Sequence, residues 1–120
     1  MGTLLIAAGA AMASVGTLAG PSVAASAEPR SAMIEAYETV RIRDYATTNS
    51  AVLGTLAPNR PTLGLCWVRG ETVRDNGVTN DIWVSTGQRQ GGRKSFFVSA
   101  VYLKGDERGG LAPGDHCPEY

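Results

Sequence analysis

The stretch Asp81-Ile82-Trp83-Val84-Ser85-Thr86-Gly87, then Gln88-Arg89-Gln90-Gly91-Gly92-Arg93-Lys94, then Ser95-Phe96-Phe97-Val98-Ser99-Ala100-Val101-Tyr102-Leu103 decides the fold. Two runs rich in β-branched and aromatic residues flank a Gly/Gln/Arg turn. Residues 81–103 therefore read as a strand, a hairpin turn and a second strand that runs into a compact corner. The turn at 87–92 is longer than the tightest two-residue hairpin loops.

Working upstream, residues 69–80 are polar and contain Asp75-Asn76-Gly77. Asn-Gly is a tight-turn signal, because both residues tolerate positive φ. Residues 62–68 read as a strand with Leu63, Leu65 and Trp67 on one face and Cys66 on the other. Ala57-Pro58-Asn59-Arg60-Pro61 is a turn by composition, and Ala51-Val52-Leu53-Gly54-Thr55-Leu56 is a short apolar return. Residues 44–50 form a polar loop. Period-two alternation in Val40-Arg41-Ile42-Arg43 predicts a half-buried strand, with Val40 and Ile42 inward and both arginines outward. The alternation reaches back to Met33. A helix over 32–38 is the alternative, but Tyr37, Thr39, Val40 and Ile42 favour a strand. Downstream, residues 104–114 are rich in Lys, Gly, Asp and Glu and read as an exposed tail, pinned back by Cys117.

Five short strands, closely spaced turns and no amphipathic helix predict a small all-β barrel, a form that leaves no strand edge unpaired. A length of 120 residues predicts one domain.

The charges sum to zero, from 11 basic and 11 acidic residues. No basic stripe of the kind that marks a nucleic-acid binder is visible, and the Arg93-Lys94 pair reads as a solvated turn. Residues 1–27 carry no charged side chain, contain the run Leu4-Leu5-Ile6-Ala7-Ala8 and end in Ala25-Ser26-Ala27. This reads as a secretory signal peptide cut after Ala27. No Lys or Arg precedes the apolar run, which places the expected translation start upstream of Met1. A retained membrane anchor is the alternative. Gly9, Gly16, Gly20 and Pro21 break the run, which makes it a poor span against the ~20 apolar residues a helix needs. The expected organisation is signal peptide 1–27, leader 28–33, barrel 34–104 and tail 105–120. The expected localisation is secreted, extracellular or wall-associated.

Cys66 and Cys117 are the only cysteines, so one intramolecular pairing exists, and an exported protein would form it. Free thiols are the alternative. With one histidine they supply too few ligands for a closed zinc site. No metal or other cofactor is expected.

Val40-Arg41-Ile42-Arg43, a small polar loop, and Ala51-Val52-Leu53-Gly54-Thr55-Leu56 together resemble the opening of bacterial SH3-like (SH3b) domains. Ile82-Trp83-Val84 is similar to the family's central Trp strand. Phe96-Phe97-Val98-Ser99-Ala100-Val101-Tyr102-Leu103 is similar to its closing aromatic-Val-Ser-x-x-Tyr-Leu signature. The resemblance spans residues 33–103 and points to the small secreted actinobacterial type. Asp44, Tyr45 and Ala46 depart from the family's usual Ser-Gly-Pro.

Cys66 in mid-strand and His116 in the tail give no evident catalytic constellation, so a non-enzymatic monomer is expected, and the resemblance implies a module that binds cell-wall (peptidoglycan) peptide or another extended peptide. It implies that Tyr45, Trp83 and Tyr102 converge on one groove, flanked by Asn80 and Asp81 as hydrogen-bonding groups. Packing is the competing role for each aromatic. Trp67 and Phe97 read as core, and Tyr45, in a polar loop, reads as exposed. Arg43 has a structural alternative, pairing with Asp44 or Asp81. A second functional reading is a secreted protein-binding or inhibitor-like protein that uses a loop at residues 69–80. A third is a thiol enzyme built on Cys66 and His116, which a Cys66–Cys117 bridge would eliminate. Ser85 and Ser99 lack a strand-turn-helix context for a nucleophile.

Overall fold

The computed structural model describes residues 31–118. The expected signal peptide, and the leader as far as Arg30, lie outside the described residues. The protein is all-β, with seven strands in two sheets. The strands are β1 (Ala32–Ile34), β2 (Val40–Arg43), β3 (Val52–Leu56), β4 (Thr62–Gly64), β5 (Cys66–Asp75), β6 (Val78–Gln88) and β7 (Lys94–Ser99). A 3-10 turn at Ala100–Tyr102 follows. One sheet has the order β3-β2-β7-β6-β5, and the other pairs β1 with β4; every pairing in both is antiparallel.

Five expected strands become seven because two of them divide. The run from Met33 to Arg43 breaks after β1, where Ala36 bridges to both Pro58 and Leu103. There the Tyr37 amide donates to the Tyr102 carbonyl (3.1 Å), and the Asn59 amide donates to the Ala36 carbonyl (2.8 Å). The run from Thr62 onward breaks at Leu65, whose amide donates to the Ser85 carbonyl (2.8 Å). That residue is a corner: β4 pairs with β1 in the small sheet, and β5 pairs with β6 in the large one. β1 itself starts inside the expected leader, at Ala32.

Residues 69–80 are not a loop. They are the distal half of a long β5–β6 hairpin, in register from Val73↔Asn80 to Asp75↔Val78. Asn76 (φ 54°) and Gly77 (φ 74°) make the two-residue turn, whose paired positive angles match the twist of the flanking strands. The polar sequence hid these strands because the arm is solvated on most of its surface; Val73 is its one buried residue. A register shift between Arg69 and Val73 separates this arm from the buried half of β5.

The buried half explains the consecutive apolar residues. Trp67, Ile82, Val84 and Val98 pack into one core, with Ile34, Val40, Leu56 and Leu111. Their neighbours Cys66, Val68, Trp83 and Phe97 pack into a second core with Val101 and Cys117. Alternation is intact, but both faces of β5, β6 and β7 are covered, so Ile82-Trp83-Val84 has no polar side.

The C-terminal segment is mostly exposed over 104–114 and pinned back at Cys117, but it is anchored more closely than composition suggested. Residues 104–107 are exposed, but Leu111, Asp115 and Cys117 are buried. Cys117 is joined to Cys66, with Cα atoms 4.9 Å apart. The Trp67 amide donates to the Asp115 carbonyl (3.0 Å), and the Cys117 amide donates to the Trp67 carbonyl (2.9 Å). This short parallel bridge covers the outer edge of β5 at Trp67. Gly and Asp dominate the segment because it turns tightly; Leu111 carries its apolar content. Among the described residues, no helix is long and apolar enough to cross a membrane.

Candidate functional site

A cleft of about 430 Å³ opens between the β2–β3 arm and the β5–β6 hairpin. Strand alternation builds one wall. Val40 and Ile42 pack on the core, Arg41 and Arg43 line the cleft with Val40 at its border, and Thr55 sits opposite Arg41 in register. Glu38 and Thr39 come from the β1–β2 connection and Thr48 from the loop after β2. Val73, Trp83, Ser99 and Tyr102 form the floor and the facing wall.

Two sets of hydrogen bonds hold the walls. At the β5 register shift, the Thr48 amide and hydroxyl donate to the two Glu71 carboxylate oxygens (2.7 and 2.8 Å). These bonds hold the Glu71 carboxyl below the usual range, amide first and then hydroxyl, with the Arg43 charge adding to them. At the hairpin tip, the Asn76 side-chain amide donates to the Glu38 carboxylate (3.0 Å) and to the Tyr37 hydroxyl (3.2 Å). The Tyr37 hydroxyl donates in turn to the Val101 carbonyl (2.6 Å). The hairpin is therefore tied to the body at its base and at its tip.

Trp83 is 2% exposed and belongs to the second core, and it also borders the cleft. Its indole N–H donates to the Glu71 carbonyl (2.9 Å). Tyr102 is half-buried, and its hydroxyl donates to Asp75 Oδ2 (2.8 Å). Burial first, and then the bond to the Asp75 carboxylate, push this phenol up to about 12.

Of the residues expected to form one groove, the structure brings Trp83 and Tyr102 together in the cleft wall. Tyr45, Asn80 and Asp81 do not line it. Tyr45 is exposed, as expected, and the Arg93 guanidinium lies 4.2 Å from its ring centroid, towards the β6–β7 turn. The Asn80 side chain donates to the Glu107 carbonyl (2.8 Å) and accepts from the Ile82 amide (3.0 Å), which ties the C-terminal segment to β6. Asp81 pairs with Arg69 (2.8 Å). Arg43 pairs with neither candidate acid; it donates to the Ser50 carbonyl (2.8 Å). Asp44 is instead held by Arg93 (2.8 Å), Arg89 (3.4 Å) and the Ser95 hydroxyl (2.7 Å).

Sequence reasoning missed Glu38, Thr39, Arg41, Thr48, Thr55 and Val73 as a group. The outward parity of Arg41 was the one local signal for any of them. The rest meet only because the hairpin folds across β2.

Both cysteines are consumed by the disulfide, so neither offers a thiol nucleophile. His116 packs edge-on against Trp67, with ring centroids 4.6 Å apart. No group of three or more His, Cys, Asp or Glu that could hold a metal occurs among the described residues. Comparison with protein-family models, curated proteins and solved structures returned no match.

Proposed function

We propose that this chain is a secreted binding module that grips an extended peptide in the cleft between the β2–β3 arm and the β5–β6 hairpin. The observation that carries this reading is the cleft itself. It combines an apolar floor of Val73, Trp83 and the Tyr102 ring with hydroxyl and guanidinium groups around it, and its walls are fixed by hydrogen bonds at both ends. Small-molecule and peptide sites share that mix of apolar floor and few placed polar groups. Prior fixing of the walls lowers the ordering cost of binding.

The likeness of residues 33–103 to SH3-like modules makes a cell-wall peptide the favoured ligand class. The disulfide fits an oxidising compartment. The bridge leaves no free thiol for the Cys66 mechanism.

The test is retention on purified peptidoglycan by the wild type and by Thr55→Trp. Thr55 is exposed on a strand, so the substitution fills the cleft without disturbing a core. Retention should fall at least tenfold. Equal retention would overturn the assignment to this cleft. A second reading, capture of a protein partner by the hairpin arm, draws on the exposed Val78 beside its tip. Under that reading Val78→Asp abolishes capture and Thr55→Trp does not.

A further inference from the structure

We infer that the cleft selects a ligand carrying a carboxylate, and that Arg41 is the residue that reads it; this rests on the peptide-binding reading above. Arg41 and Arg43 share one face of β2, but their situations differ. Arg43 is occupied by the Ser50 carbonyl. Arg41 is exposed and makes no hydrogen bond or ion pair with the described residues, although it lines the cleft. Arg69, Arg89, Arg93, Lys104 and Arg108 all have acidic partners.

The Arg41 guanidinium offers a planar fork that matches a carboxylate two bonds at a time. Thr55 faces it across the β2–β3 pair, and Thr39 lies two residues before it. Neither hydroxyl has a hydrogen-bond partner among the described residues, so both are available to the same anion. The acids at and near the cleft are already engaged, including Glu71, which accepts from Thr48. Glu38 accepts from Asn76, and Asp75 accepts from Tyr102. Their charge opposes a multiply charged anion such as phosphate and favours the N–H groups of a peptide. Arg41 is thus the lining cation left without a partner among the described residues. A peptide chain lies along the Tyr102 side, and its carboxylate, at the end or on a side chain, points to Arg41.

The experiment compares two forms of one probe. Purified peptidoglycan is used with its carboxylates free, and again after they are converted to amides with carbodiimide and ammonia. Wild type, Arg41→Gln and Arg74→Gln are tested on both. Arg74 is exposed and lies outside the cleft, so its variant reports non-specific charge. Wild type should bind the free form at least tenfold more tightly than the amide. Arg41→Gln should bind both forms alike and weakly, with an unchanged melting temperature. Arg74→Gln should match wild type, and millimolar inorganic phosphate at constant ionic strength should not compete.

Equal binding of both forms by wild type overturns carboxylate selection and leaves the peptide reading standing. Absence of binding to either form overturns both. A discrimination that survives in Arg41→Gln, or is lost equally in Arg74→Gln, overturns the role of Arg41. Competition by phosphate overturns the carboxylate as the preferred anion.

Discussion

Gly70 and Ala46 meet backbone to backbone. A β-carbon placed on Gly70 would collide with the Ala46 carbonyl oxygen and lie 3.0 Å from Trp83 Cδ1. The same carbonyl accepts from the Glu71 amide (3.0 Å). The loop after β2 is therefore seated on the register shift in β5, and that seat sets where Thr48 enters the cleft. Gly70 is not in the left-handed region, so space alone demands glycine here.

Gly70→Ala is expected to destabilise the fold by about 1–3 kcal/mol, the usual range for overpacking a close contact. Urea unfolding followed by Trp fluorescence measures it. The variant should also weaken ligand retention, because Thr48 moves with the loop. A variant as stable as wild type would show that the loop gives way without consequence.

Reducing the disulfide should release the C-terminal segment. The bridge joins residues 51 apart, which corresponds to ~4 kcal/mol on the chain-entropy account. Cys66→Ser/Cys117→Ser should lose stability on that scale. Its Trp emission should shift to the red, because the Trp67 indole N–H loses its bond to the Ala112 carbonyl (3.0 Å). Unchanged emission would mean that Leu111 holds the segment unaided.

Asp44 should govern part of the acid limb of stability. The Ser95 hydroxyl first, and then Arg93, hold its carboxyl below the usual value. The folded state therefore favours the ionised form. The resulting stability is fully present above the ordinary carboxylate range and is lost as pH falls through the lowered value. Denaturation midpoints between pH 7 and pH 2 should fall less steeply for Asp44→Asn than for wild type. Parallel curves would assign the acid limb to other carboxylates.

Tyr102 should ionise later than an ordinary phenol. Its phenol is raised to about 12, so the folded state favours the neutral form. The associated stability is present below the ordinary phenol value of about 10 and is lost as pH rises through the raised one. Absorbance titration at 295 nm should show a late step that Tyr102→Phe removes. Persistence of that step in the variant would assign it elsewhere.

Trp83→Ala is expected to unfold the domain rather than report on binding. Truncating a buried Trp costs about 3–5 kcal/mol, and the Glu71 carbonyl would lose its donor. Trp83→Phe should cost only about 1–3 kcal/mol, largely the unsatisfied carbonyl and the lost ring volume. Calorimetry of the two variants separates these outcomes. A folded Trp83→Ala protein would show that the second core tolerates the cavity.

Much of the fold was legible locally. Alternation at Val40-Arg41-Ile42-Arg43 gave the face of β2, and Asn76-Gly77 marked the turn between β5 and β6. The arms beside that turn were not legible, because their stability rests on cross-strand bonding and on the latches at Glu71 and Asn76 rather than on apolar residues. Of the five residues expected in the candidate site, two line the cleft. Tyr102 and Trp83 stand in its wall, but Asn80 and Asp81 are occupied elsewhere by Glu107 and Arg69.

By itself, the sequence determined that the chain is all-β and that its two cysteines had one way to pair, since side-chain period, turn residues and cysteine count act locally or by number. Tertiary structure alone decided that Trp83 lies inside, that the C-terminal segment caps β5 and that Arg41 faces a cleft. Those outcomes depend on contacts between residues far apart in the chain, such as Trp67 with His116, Ala46 with Glu71 and Asp44 with Ser95. No window of neighbouring residues carries a signature of such contacts, because they form only when separate strands close over a shared core.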